Sequence, residues 1–169
     1  MTSVEKIRFE RVTKVFSVRD TKQKGAVKEF TAVKDLNFSV NEGEFLTLVG
    51  PSGCGKSTLL DLLGGLSSPT KGRILLDGKE IKGPGLDRGT VFQQYALFPW
   101  KTARGNIEFG LEAKGIPKSE WKEKVAYYLD LVGLQSFAER YPHELSGGMK
   151  QRVAIARSLA FNPDVLLMD

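Results

Sequence analysis

The sequence predicts an α/β fold: an antiparallel β portion at the N-terminus, then helices and strands in alternation. Three observations carry this. Residues 7–12 and 30–40 hold alternating or β-branched apolar side chains, the pattern of paired strands. A glycine-rich loop over residues 50–57 joins a short apolar run to a stretch of helical periodicity. Further helical stretches then lead to a second apolar run, residues 164–169 (DVLLMD).

At 169 residues the chain is expected to form one domain, or one with a small insertion. Hydrophobic residues at 41% and charged residues at 27% suffice for a globular core and exclude a disordered or fibrous chain. The longest run without a charge, residues 89–100, falls short of the roughly 18 to 20 apolar residues that cross a bilayer. The N-terminal residues lack the basic head and apolar stretch of a signal peptide, and the single cysteine, Cys54, cannot form an internal disulfide. A reducing, cytoplasmic compartment is the expectation. The net charge of +5 suits a polyanionic ligand, nucleic acid or acidic lipid, and equally an ordinary solvated basic surface. The positive charges form no single block, although residues 18–28 are locally basic.

The two N-terminal strands are expected to flank a loop around residues 20–25. Residues 44–49 (EFLTLV) read as a strand buried on both faces. Leu59, Leu60, Leu62 and Leu63 then recur at helical spacing over residues 56–66, before a turn at residues 67–70. Residues 73–76 and 90–94 read as strands separated by a turn at residues 83–85. Helices are expected over residues 103–114, 118–132 and 147–161; Trp121, Val125, Leu129 and Val132 form one apolar stripe of the second, as core packing requires. Residues 164–169 read as another buried strand. No internal repeat or low-complexity tract interrupts the chain.

Gly50, Pro51, Ser52, Gly53, Cys54, Gly55, Lys56 and Ser57 fit the pattern G-x-x-x-x-G-K-[ST] between a strand-like run and a helix. The glycines let backbone N–H groups wrap around phosphate oxygens, and the helix start adds positive potential. Lys56 supplies a mobile cation for the outer phosphates. The Ser57 hydroxyl suits the Mg²⁺ that accompanies a nucleotide. A chance match of this kind arises in on the order of one chain in a hundred of this length or fewer. A P-loop nucleotide-binding fold is therefore predicted.

Ser146, Gly147 and Gly148 open a second helix, with Ser146 as its cap and two glycine amides free to meet an anion. Alone this reads as an ordinary cap. Beside the first loop it is a second phosphate-binding helix start, which suggests that two chains share each nucleotide. Asp169 ends an apolar run where a P-loop fold needs a carboxylate for Mg²⁺, although such an ending is common in isolation.

These motifs together resemble the ATPase subunit of an ABC transporter, and the resemblance covers the whole chain. It implies an ABC ATPase fold with an antiparallel β subdomain and a helical subdomain over about residues 94–146. Residues from Gly50 to Thr58 match the family's Walker A loop, Gln93 its Q-loop, residues 145–151 its signature, and Asp169 its Walker B aspartate. Phe16 occupies the position of the family's adenine-stacking aromatic. Met149, Lys150 and Gln151 follow the signature glycines where a direct glutamine is usual. Residues 83–93 with Leu97, Phe98, Pro99 and Trp100 are similar to the subgroup serving nitrate, sulfonate and taurine importers; sugar, polyamine and metal importers share much of this segment.

The resemblance implies ATP and Mg²⁺ as cofactors, with Lys56, Gln93 and Asp169 in catalysis and Ser57, Gln93 and Asp169 toward the metal. It implies a second nucleotide-binding subunit as partner, a homodimer, with transmembrane permease subunits and, indirectly, a solute-binding protein. The subunit would sit on the inner face of the cell membrane, and nucleic acid is not an expected partner. The family's glutamate after Walker B, its D-loop and its switch histidine have no counterpart, so the sequence reads as C-terminally truncated and impaired in hydrolysis. His143, the one histidine, lies just before the signature and is assigned a structural role. Two rivals are weaker. A DNA- or ribosome-acting ABC ATPase would need a coiled-coil insertion or a long basic linker, and another P-loop NTPase would leave residues 145–151 unexplained.

Overall fold

A computed structural model describes residues 4–19 and 27–169. The loop expected around residues 20–25 lies outside the described residues. The chain divides into two compact units, Met1–Pro84 and Gly85–Asp169.

The first unit is built on a long antiparallel hairpin. Strand β1 (Glu5–Arg19) pairs with β2 (Val27–Asn41), and β1 pairs on its other side with β3 (Lys71–Leu76), which meets the short β4 (Lys79–Glu80). The sheet order is β2-β1-β3-β4. Alternation explains the buried set: Ile7 and Phe9 of β1 are opposite Val40 and Phe38 of β2 and Leu76 and Ile74 of β3. The Phe9 and Phe38 rings stack with centroids 4.3 Å apart. Both hairpin strands run longer than the apolar alternation marks, because their outer parts pair through the backbone with exposed side chains.

The ladder is interrupted near Arg11 and Asp35, whose backbones take left-handed φ of 47° and 45°. The amides freed there find side-chain acceptors. Arg11 N–H donates to Asn37 Oδ1 at 2.8 Å, and Asp35 N–H to Thr13 Oγ1 at 3.0 Å. The irregularity is thus hydrogen-bonded, as bulges that bend a hairpin are. Helix α1 (Lys56–Gly64) buries Leu59, Leu62 and Leu63 on the predicted stripe.

Residues 44–49 correct the sequence reading, since they form no strand. Phe45 is 92% exposed and Val49 89%, and Leu46 is exposed as well. A strand exists only with a ladder partner, and neither sheet includes this run among the described residues.

The second unit places β5 (Arg88–Val91) parallel to β6 (Val165–Met168). Between them in sequence come α2 (Ala103–Ala113), α3 (Lys118–Leu131), two short 3₁₀ turns (Gln135–Phe137 and Pro142–Glu144) and α4 (Gly147–Ala160). Their apolar stripes meet in one core that includes Ile107, Leu111, Val125, Leu129, Leu134 and Val153. The predicted packing role of Val125 and Leu129 holds, with Trp121 and Val132 at its edge. Gly110 is where α2 and α4 come closest: a Cβ there would lie 2.5 Å from the Arg157 carbonyl oxygen. Two expected strands are modified. Residues 92–94 leave β5 and turn, and β6 buries only Leu167 while Leu166 and Met168 are exposed, because it is paired on one side only.

Candidate functional site

In the first unit the phosphate loop hangs between residues 44–49 and α1. Gly55 caps α1 with φ 99° and lies against β2, where a Cβ would be 2.6 Å from the Ala32 carbonyl oxygen. Only glycine combines that backbone with that approach. The loop is drawn in by Lys56, whose Nζ donates to the carbonyls of Gly50 at 2.8 Å and Pro51 at 2.9 Å and lies 3.7 Å from Cys54 Sγ. Ser52, Gly53, Cys54 and Ser57 are exposed, and Thr58 is half-buried. No acidic side chain occupies the first turn of α1, so nothing local opposes an anion at its positive end. Phe16 stands opposite Phe30 across the hairpin, exposed, with the Lys14 ammonium 5.0 Å from its ring centre.

In the second unit Gln93 and Asp169 stand at the same end of the parallel pair. Val91 is registered with Met168, and Asp169 N–H donates to the Val91 carbonyl at 3.1 Å, so Asp169 follows β6 just where the chain leaves β5 toward Gln93. The carboxyl ends of parallel strands are where α/β folds collect ligands. An amide oxygen and a carboxylate there are hard donors, of the kind Mg²⁺ accepts beside nucleotide phosphates. This pair fits Mg²⁺ and not a soft metal. In the first unit the Ser57 hydroxyl is an oxygen of the same hard class. Among the described residues no three His, Cys, Asp or Glu side chains gather into a metal cluster.

The second helix start has the predicted cap. Ser146 Oγ accepts from Met149 N–H at 3.3 Å, while Gly147 and Gly148 are exposed. Before it, Glu144 accepts from Tyr141 N–H at 2.7 Å and pairs with Arg140 at 2.8 Å, which fixes the approach of the chain to the cap. His143 is exposed and stacks on Tyr141 with ring centres 5.9 Å apart.

Three residues around Gln93 escape a reading by motif. Asn106 is fully buried in α2; its side chain accepts from Phe98 N–H at 2.9 Å and donates to the carbonyls of Phe98, Lys101 and Thr102 at 3.3, 3.1 and 2.9 Å. Arg157 reaches from α4 to the carbonyls of Ala96 and Tyr95. Burial lowers its guanidinium pKa from the ordinary arginine value. The sequence signal for Arg157 was a charge on the apolar stripe of Val153 and Ala160; Tyr95 and Asn106 carried none. A basin of about 980 Å³ on the antiparallel sheet, lined by Glu10, Arg11, Lys34, Asp35, Lys71 and Arg73 among others, includes no residue of the phosphate loop. It is open and of mixed charge, with Glu10 held 2.6 Å from Arg73, and it lacks the convergent donors that the loop provides.

The sequence matches the ABC transporter family over residues 33–169. It is 53% identical over 164 residues to an uncharacterized ABC transporter ATP-binding protein of Methanocaldococcus jannaschii, covering 97% of this chain and 59% of the relative. It is 59% identical to the nitrate import ATP-binding protein NrtD of Synechocystis sp., covering 82% of this chain and 52% of the relative. Identity to the taurine import ATP-binding protein TauB of Roseobacter denitrificans is 51%, with the same two coverages of 82% and 52%. The chain thus spans little more than half the length of these curated relatives. A dimeric ATP-binding cassette solved in a post-hydrolysis state with ADP and Pi superposes with a TM-score of 0.84 at 35% identity, covering 96% of this chain and 73% of that one. With most of its length matched to the family and its backbone matched to a cassette, the chain belongs to the ABC transporter family.

Proposed function

We propose that this chain is the ATP-binding part of an importer subunit that couples ATP binding and hydrolysis to uptake of a small anion, of the nitrate, sulfonate or taurine kind, through a membrane permease. The observation that carries the proposal is the phosphate loop itself, with Lys56 inside it and the start of α1 free of acidic side chains. The nitrate and taurine relatives support the solute class. The subunit works at the inner face of the cell membrane, where a permease receives it and a solute-binding protein acts indirectly.

Lys56 exchanges the carbonyls of Gly50 and Pro51 for phosphate oxygens when ATP enters, and the backbone N–H groups of Gly50 and residues 52–58 hold the rest of the chain of phosphates. Phe16 stacks on the adenine. Ser57, Gln93 and Asp169 are the residues that would hold Mg²⁺, which would supply charge neutralisation to the phosphates. Gln93 also orients the attacking water. Ser146, Gly147 and Gly148 face the nucleotide held by a second copy, so that two nucleotides are enclosed by a homodimer.

The test is MgATP affinity by calorimetry for the chain and for Lys56→Ala, each checked for native circular dichroism. Charge-assisted hydrogen bonds contribute about 1.5 to 3 kcal/mol, so the variant is expected to bind about tenfold to a hundredfold more weakly. Equal affinity in a folded variant overturns the site.

A further inference from the structure

The turn that carries Gln93 meets α4 at two places. Tyr95 and Ala96 both hold left-handed backbone, with φ of 63° and 46°. Residues with a side chain rarely keep that conformation without outside support. Support comes from Arg157, ten residues along α4 from Gly147. Its Nη1 donates to the Ala96 carbonyl at 2.6 Å, its Nη2 to the Tyr95 carbonyl at 3.1 Å, and its guanidinium carbon lies 5.6 Å from the centre of the Phe98 ring. Two successive carbonyls match the planar fork of a guanidinium, which a lysine ammonium does not reproduce. At the other end of the helix the Tyr95 hydroxyl lies beside Gly147, where a Cβ would be 3.2 Å from it. One residue is therefore bonded through its carbonyl to Arg157 in the last turn of α4, while its hydroxyl lies beside the first turn. Gln93 belongs to the same turn, which closes through Tyr95 N–H to the Phe92 carbonyl at 2.9 Å.

We propose that Arg157 is a positioning residue that, with Tyr95, makes the Gln93 turn and the Ser146–Gly148 helix start one mechanical unit. This rests on the ATPase reading above. A shift of Gln93 against the chain's own nucleotide then moves the anion site that the same chain offers to the second copy's nucleotide. Arg157 thereby links the two nucleotides of the homodimer and makes their hydrolysis cooperative. Each site senses the other through a discrete packed contact, which is the physical form a coupling between sites requires.

The experiment uses the full-length protein and its Arg157→Met, Arg157→Lys and Tyr95→Phe variants, with ATP hydrolysis followed against ATP concentration and MgATP binding measured separately. Arg157→Met is expected to keep MgATP affinity within about twofold, because the phosphate loop is not touched. Its kcat should fall by about tenfold to a hundredfold, the usual cost of misplacing a reacting group, and its Hill coefficient should fall to unity. Arg157→Lys should lie between, and Tyr95→Phe should lose cooperativity with an unchanged thermal midpoint. If Arg157→Met does not fold, Tyr95→Phe decides. A folded variant with the wild-type kcat and Hill coefficient overturns the proposal, as does a wild type with a Hill coefficient of one or a loss of MgATP binding in parallel with kcat. A wild type that binds MgATP without hydrolysing it overturns the functional reading instead. Hydrogen exchange then tests the link alone: MgATP should alter protection at residues 92–97 and 147–150 together in wild type, and at 92–97 alone in Arg157→Met. Joint change in both proteins, or change in only one segment of the wild type, overturns it.

Discussion

Lys56 directs its ammonium at its own loop, to the Gly50 and Pro51 carbonyls, so in the proposed site nucleotide entry would replace two neutral acceptors with anionic ones. The ammonium is charged in both arrangements, so what the exchange adds is Coulombic attraction to an anionic oxygen, and that favours the phosphate. On that proposal the lysine holds the loop closed until an anion competes for it. The role proposed for Phe16 is different, through area rather than charge. Its ring is exposed on the hairpin and its cross-strand neighbour Phe30 is exposed beside it. Phe16→Ala is expected to weaken ATP binding by about 1 to 3 kcal/mol, the range found for bases on aromatic side chains, and to leave affinity for inorganic triphosphate unchanged. Calorimetry with ATP and with triphosphate separates the two. An equal loss for both ligands would show that Phe16 supports the hairpin and does not touch a base.

Among the elements, α4 carries the second helix start of the proposed site, with Ser146 as its cap, Arg157 in its last turn and α2 packed against it at Gly110. The contact at Gly110 leaves no room for a methyl group, since its carbon would meet the Arg157 carbonyl oxygen at 2.5 Å and Ala160 Cβ at 2.9 Å. Gly110→Ala gains helix propensity but overpacks this crossing, and a net destabilisation of about 1 to 3 kcal/mol is expected by urea unfolding. A neutral or stabilising result would mean that the two helices separate freely. The approach to α4 is expected to be sensitive to acid. Tyr141 N–H first, and Arg140 second, hold the Glu144 carboxyl below the ordinary carboxylate range. Because the folded value is depressed, the stabilisation is full above the unfolded value and is lost as pH falls through the folded one. Glu144→Gln should therefore melt below wild type near neutral pH, and the gap should close as the pH is lowered through the depressed folded value of Glu144. A gap that stays constant with pH would assign the loss to packing.

Across the whole molecule, what the sequence made legible is what neighbours in the chain decide. The helices follow from 3.6-residue periodicity, and Thr102 and Ser146 cap α2 and α4 by bonding amides three residues on. The phosphate loop was legible because its eight residues are contiguous. Arg157 was not, because it meets Ala96 and Tyr95 across 61 and 62 positions and only the fold brings them together. The run of residues 44–49 failed as a strand for the same reason, since its pattern names a conformation but not a partner. Its side chains consequently face water, with Phe45 92% and Val49 89% exposed. A six-residue segment, EFLTLV, that is β-prone and has a single charge is a template for pairing between molecules. Phe45→Lys with Val49→Lys should raise the concentration at which the chain begins to scatter light, and lower its binding of an apolar dye. The Lys56-dependent affinity for MgATP should remain, because neither side chain belongs to residues 50–57. Unchanged scattering with a native circular dichroism spectrum would show that another surface drives association, and restored dye binding on adding salt would show that charge repulsion alone had separated the molecules.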